Sequence, residues 1–246
     1  MRSRLLSRAA HLASAPVVVL AGLVLVSTTA AATSAGVPTT SSVVAAAKSA
    51  IGKQTSVHLD LSSRTSSTSV EEVVQADLAK SSGAETISQG KETVAIKLTP
   101  ADAYLSGNSS GLTKILGLTS AQVKKVGADW VFVKAGTSQY KDLATSMTIS
   151  SVASVLPAVK GTKLYAPGPS GRKLYTLKWS SAATSSAPAL ASTLTVLAVG
   201  ANLPVQETTT APGGGKETVA FSKWGERVVV NAPPAGLTIP LSKVSG

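Results

Sequence analysis

The sequence predicts an α+β domain in which one large antiparallel sheet carries its helices gathered on one side. Three observations lead there. A leading helix-patterned segment gives way near Thr55 to a two-residue hydrophobic period. Short apolar runs, separated by Gly, Pro and Ser clusters, then recur to the end of the chain. Helical spacing returns only in short stretches of the middle, and the last third is almost wholly strand-like.

Element by element, Gly36–Ser42 reads as a polar linker and Ser41–Lys53 as a helix, because Val43, Val44, Ala47, Ala50 and Ile51 share one helical face. In Thr55–Leu61, Val57, Leu59 and Leu61 alternate with His58 and Asp60, which defines a strand with one apolar face. Val70–Ala79 alternates too. Ser69 and Glu72 also fit a helix capping box, but the Ser-, Thr- and Gly-rich flanks favour a strand. Ser81-Ser82-Gly83 is a turn signal. Lys91–Leu98 places Val94, Ile96 and Leu98 on one face, and Ala103–Ser106 is a further short strand. Gly111–Leu118 and Thr119–Val126 read as short helices, Asp129–Lys134 as a strand, and Ser138–Leu156 as two helices broken near Thr148 and stopped by Pro157. Six strands follow: Gly161–Tyr165, Arg172–Trp179, Ser192–Gly200, Val205–Thr210, Lys216–Lys223 and Arg227–Asn231, the last two joined by a hairpin turn at Trp224-Gly225. Gly-Lys-Glu-Thr-Val-Ala occurs at Gly90–Ala95 and again at Gly215–Ala220, which fits two similar antiparallel strands entered from tight turns.

Composition bounds the chemistry. With no cysteine among 246 residues, disulfides, thiolate metal sites and a cysteine nucleophile are excluded. Charged residues make up only 14% of the chain, against about 25% in an ordinary soluble domain. Residues 1–35 begin with Arg2, Arg4 and Arg8, continue through an apolar run from Ala15 to Val26, and end in small residues that include Ala30-Ala31-Ala32. This is the pattern of a secretory signal, with an uncleaved membrane anchor as the alternative. Its removal leaves 20 basic against 12 acidic residues in a single domain of residues 36–246 with a short C-terminal tail.

Motifs for catalysis are present only in fragments. Gly107–Gly111 fits G-x-S-x-G, yet no histidine follows it, and a Ser/Gly-rich turn accounts for it. Ser138–Lys141 fits S-x-x-K without the companion motifs, and Gly213-Gly214-Gly215-Lys216 is followed by Glu217 and reads as a hairpin loop. His58 has Asp60 beside it but no second histidine in the mature chain, so a zinc site is not expected. The carboxylates read as scattered along the sequence. An enzyme and a bound cofactor or metal are therefore not expected. Nucleic acid is disfavoured as a partner because the basic residues are interspersed and aromatic residues are only 4% of the chain. An anionic membrane surface suits them as well as plain solubility does.

The order of several segments carries a family resemblance. These are Ser56–Leu59, Ala103–Asn108 running into Gly111–Leu118, Asp129–Val133, Gly161–Tyr165, Ala201–Val205, and Val219–Glu226 leading to Asn231–Pro233. Over about residues 40–235 the chain resembles the actinobacterial cell-envelope lipoproteins of the LppX/LprG type, which share the fold of the LolA lipoprotein carrier. The resemblance implies a strongly curved antiparallel half-barrel with helices packed on its concave side, enclosing an apolar cavity for acyl chains of lipids or lipoglycans. It implies a non-enzymatic carrier or sensor of the envelope, here without a lipobox cysteine. On that reading the cavity face is Val57, Leu59, Leu61, Val94, Ile96, Leu98, Leu194 and Val196. Leu112, Ile115 and Leu116 form a movable lid flanked by Gly107, Gly111 and Gly117. A filled core is the alternative at each of these positions. The expected partners are acyl chains, a membrane surface and an envelope transporter or acceptor protein. The expected state is a monomer, exported and secreted or held at the envelope. The alternative function is a sensory or protein-interaction domain on the same scaffold.

Overall fold

The first helix forms where the sequence places an apolar stripe behind a good cap. In the computed structural model, which describes residues 38–64, 71–166, 173–183 and 188–245, α1 spans Thr40–Lys53. The Thr39 hydroxyl accepts from the Ser42 amide at 3.2 Å, satisfying one of the orphan donors of the first turn. Val43, Ala47, Ala50 and Ile51 are buried. The expected secretory signal of residues 1–35, the Ser69 cap and Arg172 lie outside the described residues.

Five strands follow in antiparallel succession: β1 (Ser56–Arg64), β2 (Glu71–Ala79), β3 (Gly83–Gln89), β4 (Glu92–Leu98) and β5 (Asp102–Gly107). Then come the short helices α2 (Ser109–Lys114) and α3 (Ser120–Val126), and β6 (Trp130–Lys134). Next are α4 (Ser138–Ser146) and a 3₁₀ helix over Ile149–Val155. The chain returns through β7 (Lys163–Tyr165), β8 (Leu174–Ser181), β9 (Leu190–Leu197), β10 (Pro204–Thr210) and β11 (Lys216–Ser222). It ends in a short 3₁₀ turn, β12 (Thr238–Pro240) and α5 (Leu241–Ser245). All twelve strands join one sheet in the order β12-β6-β5-β4-β3-β2-β1-β11-β10-β9-β8-β7. Among the described residues every strand pairing is antiparallel except that of β12 with β6. The sheet is open, and its two edge strands are only three residues long, which limits edge-to-edge association.

The registers line up side chains in rows across one face. One row runs Val133, Ala103, Leu98, Gly83, Leu78, Val57. The helices pack on this face. A Cβ on Gly83 would stand 2.3 Å from the Met147 carbonyl oxygen, just past α4, and the Tyr140 hydroxyl of α4 donates to the Thr99 carbonyl at 2.7 Å. Helix α1 runs from the β7 edge, where Pro38–Thr40 and Thr162–Ala166 flank a common depression, to the end of β11, where the Gln54 side chain meets Gly225. One apolar cluster reaches from Val133 of β6 to Leu177 of β8. A smaller one joins Leu112, Val126, Val131 and Val244. The C-terminal tail is thus part of the structure, with Val244 fully buried.

Three expectations are corrected. Gly83–Gln89 is a strand, although the sequence shows there only a turn followed by a mostly polar stretch. Arg227–Asn231 is not a strand, and Trp224-Gly225 is not a hairpin turn. Instead the Gly225 amide donates to the Ser56 carbonyl at 2.9 Å, the Ser56 hydroxyl donates to the Glu226 carbonyl, and the Trp224 indole donates to the Pro204 carbonyl at 3.2 Å. These bonds lead the chain away from the sheet. Finally, the Gly111–Leu118 helix begins earlier and ends at Lys114, because Asn108 caps it through the Gly111 amide at 2.7 Å. The other elements occur within a few residues of their expected limits, including the break at Thr148 and the glycine turn between β10 and β11.

Helix α2 is clamped to β4. A Cβ on Gly111 would lie 2.3 Å from the Thr93 carbonyl oxygen, and one on Gly107 would lie 2.5 Å from the same atom. Gly111→Ala should therefore destabilise the protein by about 1–3 kcal/mol, the usual cost of overpacking. Gly52→Ala, where nothing stands within 4 Å, should be neutral or slightly stabilising. Paired urea denaturation curves check both.

Candidate functional site

Successive rows on the concave face differ in kind. At the rim, near the β3–β4 and β10–β11 turns, the row reads Glu92, Gln89, Glu72, Ser63, Glu217, Thr209, Ser192. The next row inward reads Val94, Ile87, Val74, Leu61, Val219, Glu207, Leu194, Leu177. A third reads Leu105, Ile96, Glu85, Ala76, Leu59, Phe221. The innermost row, from Val133 to Val57, lies beneath the helical layer. A polar rim thus encloses an apolar interior interrupted by two carboxylates.

Coverage of this face is uneven. Val94, Ile96, Leu194 and Leu177 are buried at 0–2% exposure. On the central strands β1 and β2, by contrast, Leu59, Leu61 and Val74 are only half-buried. They form a strip of apolar surface that α1, α2 and α4 leave partly uncovered.

Of the eleven residues expected to contact an acyl chain, Val57, Val94, Ile96, Leu98, Leu112, Ile115, Leu194 and Val196 are buried. Leu59, Leu61 and Leu116 are half-buried. Ten of the eleven belong to or pack against the main cluster, whereas Leu112 lies in the smaller one with Val126, Val131 and Val244. Gly107 and Gly111 act as close-approach positions on β4 rather than as hinges. Asn108 adds to the clamp, its amide side chain donating to the Lys91 carbonyl at 2.7 Å. A depression of about 220 Å³ elsewhere is lined by Val57 together with His58, Asp77 and Lys223. On the convex face His58 sits between Asp77, at 2.8 Å from Nδ1, and Asp60, at 3.3 Å from Nε2. Each ring nitrogen thereby faces a carboxylate. Among the described residues no group of three or more His, Cys, Asp or Glu could hold a metal ion.

The electrostatics of the concave face were not legible as a site in the sequence. Carboxylates that look scattered along the chain converge there: Glu72, Glu85, Glu92, Glu207 and Glu217 share one face. Glu92 is held well below the ordinary carboxylate range, first by the Lys114 ammonium at 2.5 Å and then by the Ser110 hydroxyl at 2.9 Å. Burial, reinforced by Glu72, pushes Glu85 up to about 7. Burial, reinforced by Glu217, pushes Glu207 up to about 7 as well. Glu207 is 6% exposed, and its Oε2 finds no hydrogen-bond partner. No sequence signal marked it, because a bulge between Pro204 and Gln206 breaks the alternation of β10 and puts Pro204, not Val205, beside Val196.

This open, strongly curved, mostly antiparallel sheet with helices on its concave side is the LolA-like half-barrel expected from the resemblance. LprF from Mycobacterium bovis shares it with a TM-score of 0.52 over 79% of this chain and 96% of its own, at 13% identity. The Mycobacterium tuberculosis lipoprotein LppX matches over 78% of this chain and 99% of its own, with a TM-score of 0.48 and 17% identity. The likeness to LprF is one of fold. By sequence, no protein-family model and no curated protein matches the chain. No helix among the described residues is long and apolar enough to cross a membrane.

The raised Glu207 pKa fixes a direction for pH-dependent stability. The folded state holds this proton more tightly than the unfolded chain, so its contribution is fullest below the unfolded value of 4.5 and is lost as pH rises through about 7. At full ionisation the loss is roughly 3 kcal/mol for a shift of this size. Glu207→Gln should become progressively more stable than the wild type between about pH 5 and pH 8. Denaturant titrations across that range measure the difference, and a gap that does not change with pH would refute the assignment.

Proposed function

We propose that the protein is an exported, non-enzymatic lipid-binding protein that shields acyl chains of envelope lipids or lipoglycans between its curved sheet and its helices, for transport. The observation that carries this reading is the half-buried strip of Leu59, Leu61 and Val74, open on the concave face while its row neighbours are buried. A closed core leaves no such strip, and a catalytic site needs convergent reactive groups rather than an apolar surface. The fold shared with LprF supports the reading.

On this proposal residues 1–35 direct export or anchor the chain, and residues 36–246 form the single binding domain. An acyl chain enters along Leu59 and Leu61 and spreads toward Val94, Ile96, Leu98, Leu194, Val196 and Val57 as the helical layer shifts outward. Ile115 and Leu116 border it. Leu112, held in the smaller cluster, keeps α2 in place. Burying about 16 methylenes gives on the order of 12 kcal/mol before ordering costs, enough for carriage without a charged ligand. The protein works as a monomer at an anionic membrane surface, handing its lipid to an envelope transporter or acceptor protein.

One observation favours a second reading, a sensory or protein-interaction domain: eight of the eleven expected contact residues are already buried. Native mass spectrometry of the purified protein, with extraction of any bound lipid, separates the two. The carrier reading predicts a bound acyl lipid. It also predicts that Leu61→Glu lowers uptake of a fluorescent acyl probe at least fivefold while the circular dichroism spectrum stays unchanged. Leu194→Glu, at a closed position, should instead unfold the protein by burying an unpaired charge. A protein that carries no lipid and takes up no probe is not a carrier.

A further inference from the structure

Glu207 has no counterpart in a filled apolar core. It stands in the second row between Val219 and Leu194, both buried, at 6% exposure itself. Its Oε2 is sealed from solvent without a hydrogen-bond partner. Leaving a buried acceptor unsatisfied is destabilising, more so when it is charged, and such groups in native proteins call for a specific reason. The position suggests one. Two residues along the sheet from the rim is about 7 Å of depth, and two strands from Leu61 is about 10 Å. Glu207 therefore stands within the reach of an amphiphile whose chain lies on the Leu59–Leu61 strip.

The surrounding charge narrows what that polar end can be. The rim row adds Glu72, Glu92 and Glu217 on the same face, and Glu85 lies in the third row. Five of the chain's twelve acidic residues thus face the hollow of a protein whose formal net charge is +11. Lys114 answers Glu92. The basic residues at the strand ends, Arg64 and Lys216, pair in register with each other, and strand alternation sends both to the convex face. On the convex face Arg64 has Glu71 in register beside it, whereas Glu207 has another acid, Glu217, as a charged neighbour, so an anionic headgroup at Glu207 meets like charge.

We infer that the Glu207 carboxylate is the polar anchor of the concave site, and that it selects acyl amphiphiles whose headgroup donates hydrogen bonds and carries no negative charge. A hydroxylated headgroup and a primary ammonium share that chemistry, and a phosphate lacks it. The inference rests on the acyl-binding reading and adds a headgroup class to it.

The test uses the purified full chain and three amphiphiles with the same 16-carbon chain: hexadecylglycerol, hexadecylamine and hexadecyl phosphate. Each competes at about pH 8 with the neutral probe N-phenyl-1-naphthylamine, and the readout is the ratio of affinities. At least one of the two donor headgroups should bind ten times more tightly than the phosphate, and the one favoured identifies the source. Glu207→Gln and Glu207→Met, which remove the buried charge with little change of volume, should reduce that ratio below threefold. Glu71→Gln, which removes one exposed acidic charge from β2, should leave it unchanged. Equal binding of all three by the wild type, or a ratio that survives both Glu207 substitutions, overturns the inference and leaves acyl binding standing. Failure of the probe and all three amphiphiles to bind overturns both.

Discussion

A β-sheet alternates its side chains strictly, so the register of each strand pair decides which residues share a face. In this protein twelve strands hold that register across a single open sheet, and everything else follows from the face it creates. One side collects Val, Leu and Ile from nearly every strand and has to be removed from water. A flat sheet of this width would measure about 50 Å at 4.8 Å per strand, far more than one 14-residue helix of about 21 Å can cover. The sheet curls, α1 covers one half, α4 and the following 3₁₀ helix cover the other, and the two helical covers touch. The strip left partly bare lies on β1 and β2, in the rows between the rim and the helical layer.

Much of this was legible in residue patterns. Alternation in Thr55–Leu61 and Lys91–Leu98, the stripe of α1 and the short helix of Thr119–Val126 each report local geometry that tertiary contacts only reinforce. β3 was not legible, because Gly-Ala-Glu-Thr-Ile-Ser-Gln offers one large apolar residue, and the strand exists because β2 and β4 both pair with it. The opposite error arose at Val228–Val230, where β-branched residues look like a strand but pair with no strand among the described residues. The candidate site was only half legible. Periodicity puts Val94 and Leu61 on the same face, but coverage by helices decides which stays accessible, and coverage is not a local property. For the same reason acids distant in sequence, such as Glu85 and Glu207, read as scattered until register placed them on one surface.

Polar groups on that surface set the character of the molecule as much as the apolar ones. Five carboxylates stand on the apolar face of the sheet, and for the buried ones electrostatic interactions are made in a desolvated setting. Glu92 shows how the rim tolerates its charge, with Lys114 and Ser110 answering it directly. Glu207 has no comparable pair for its Oε2.

The strand order carries a consequence for how the halves are joined. β1 to β6 are linked by consecutive local pairings, as are β7 to β11, and the two series meet only where β1 lies beside β11. That junction is closed by residues as far apart as Ser56 and Glu226, 170 positions along the chain. Its seven register pairs, from His58–Ser222 to Arg64–Lys216, bear the largest loop-closure entropy in the sheet. The cooperativity of the domain therefore hinges on a seam, and the partly bare strip of β1 and β2 runs directly alongside it. Chain connectivity thus places the least locally reinforced pairing next to the surface through which a guest molecule would have to pass.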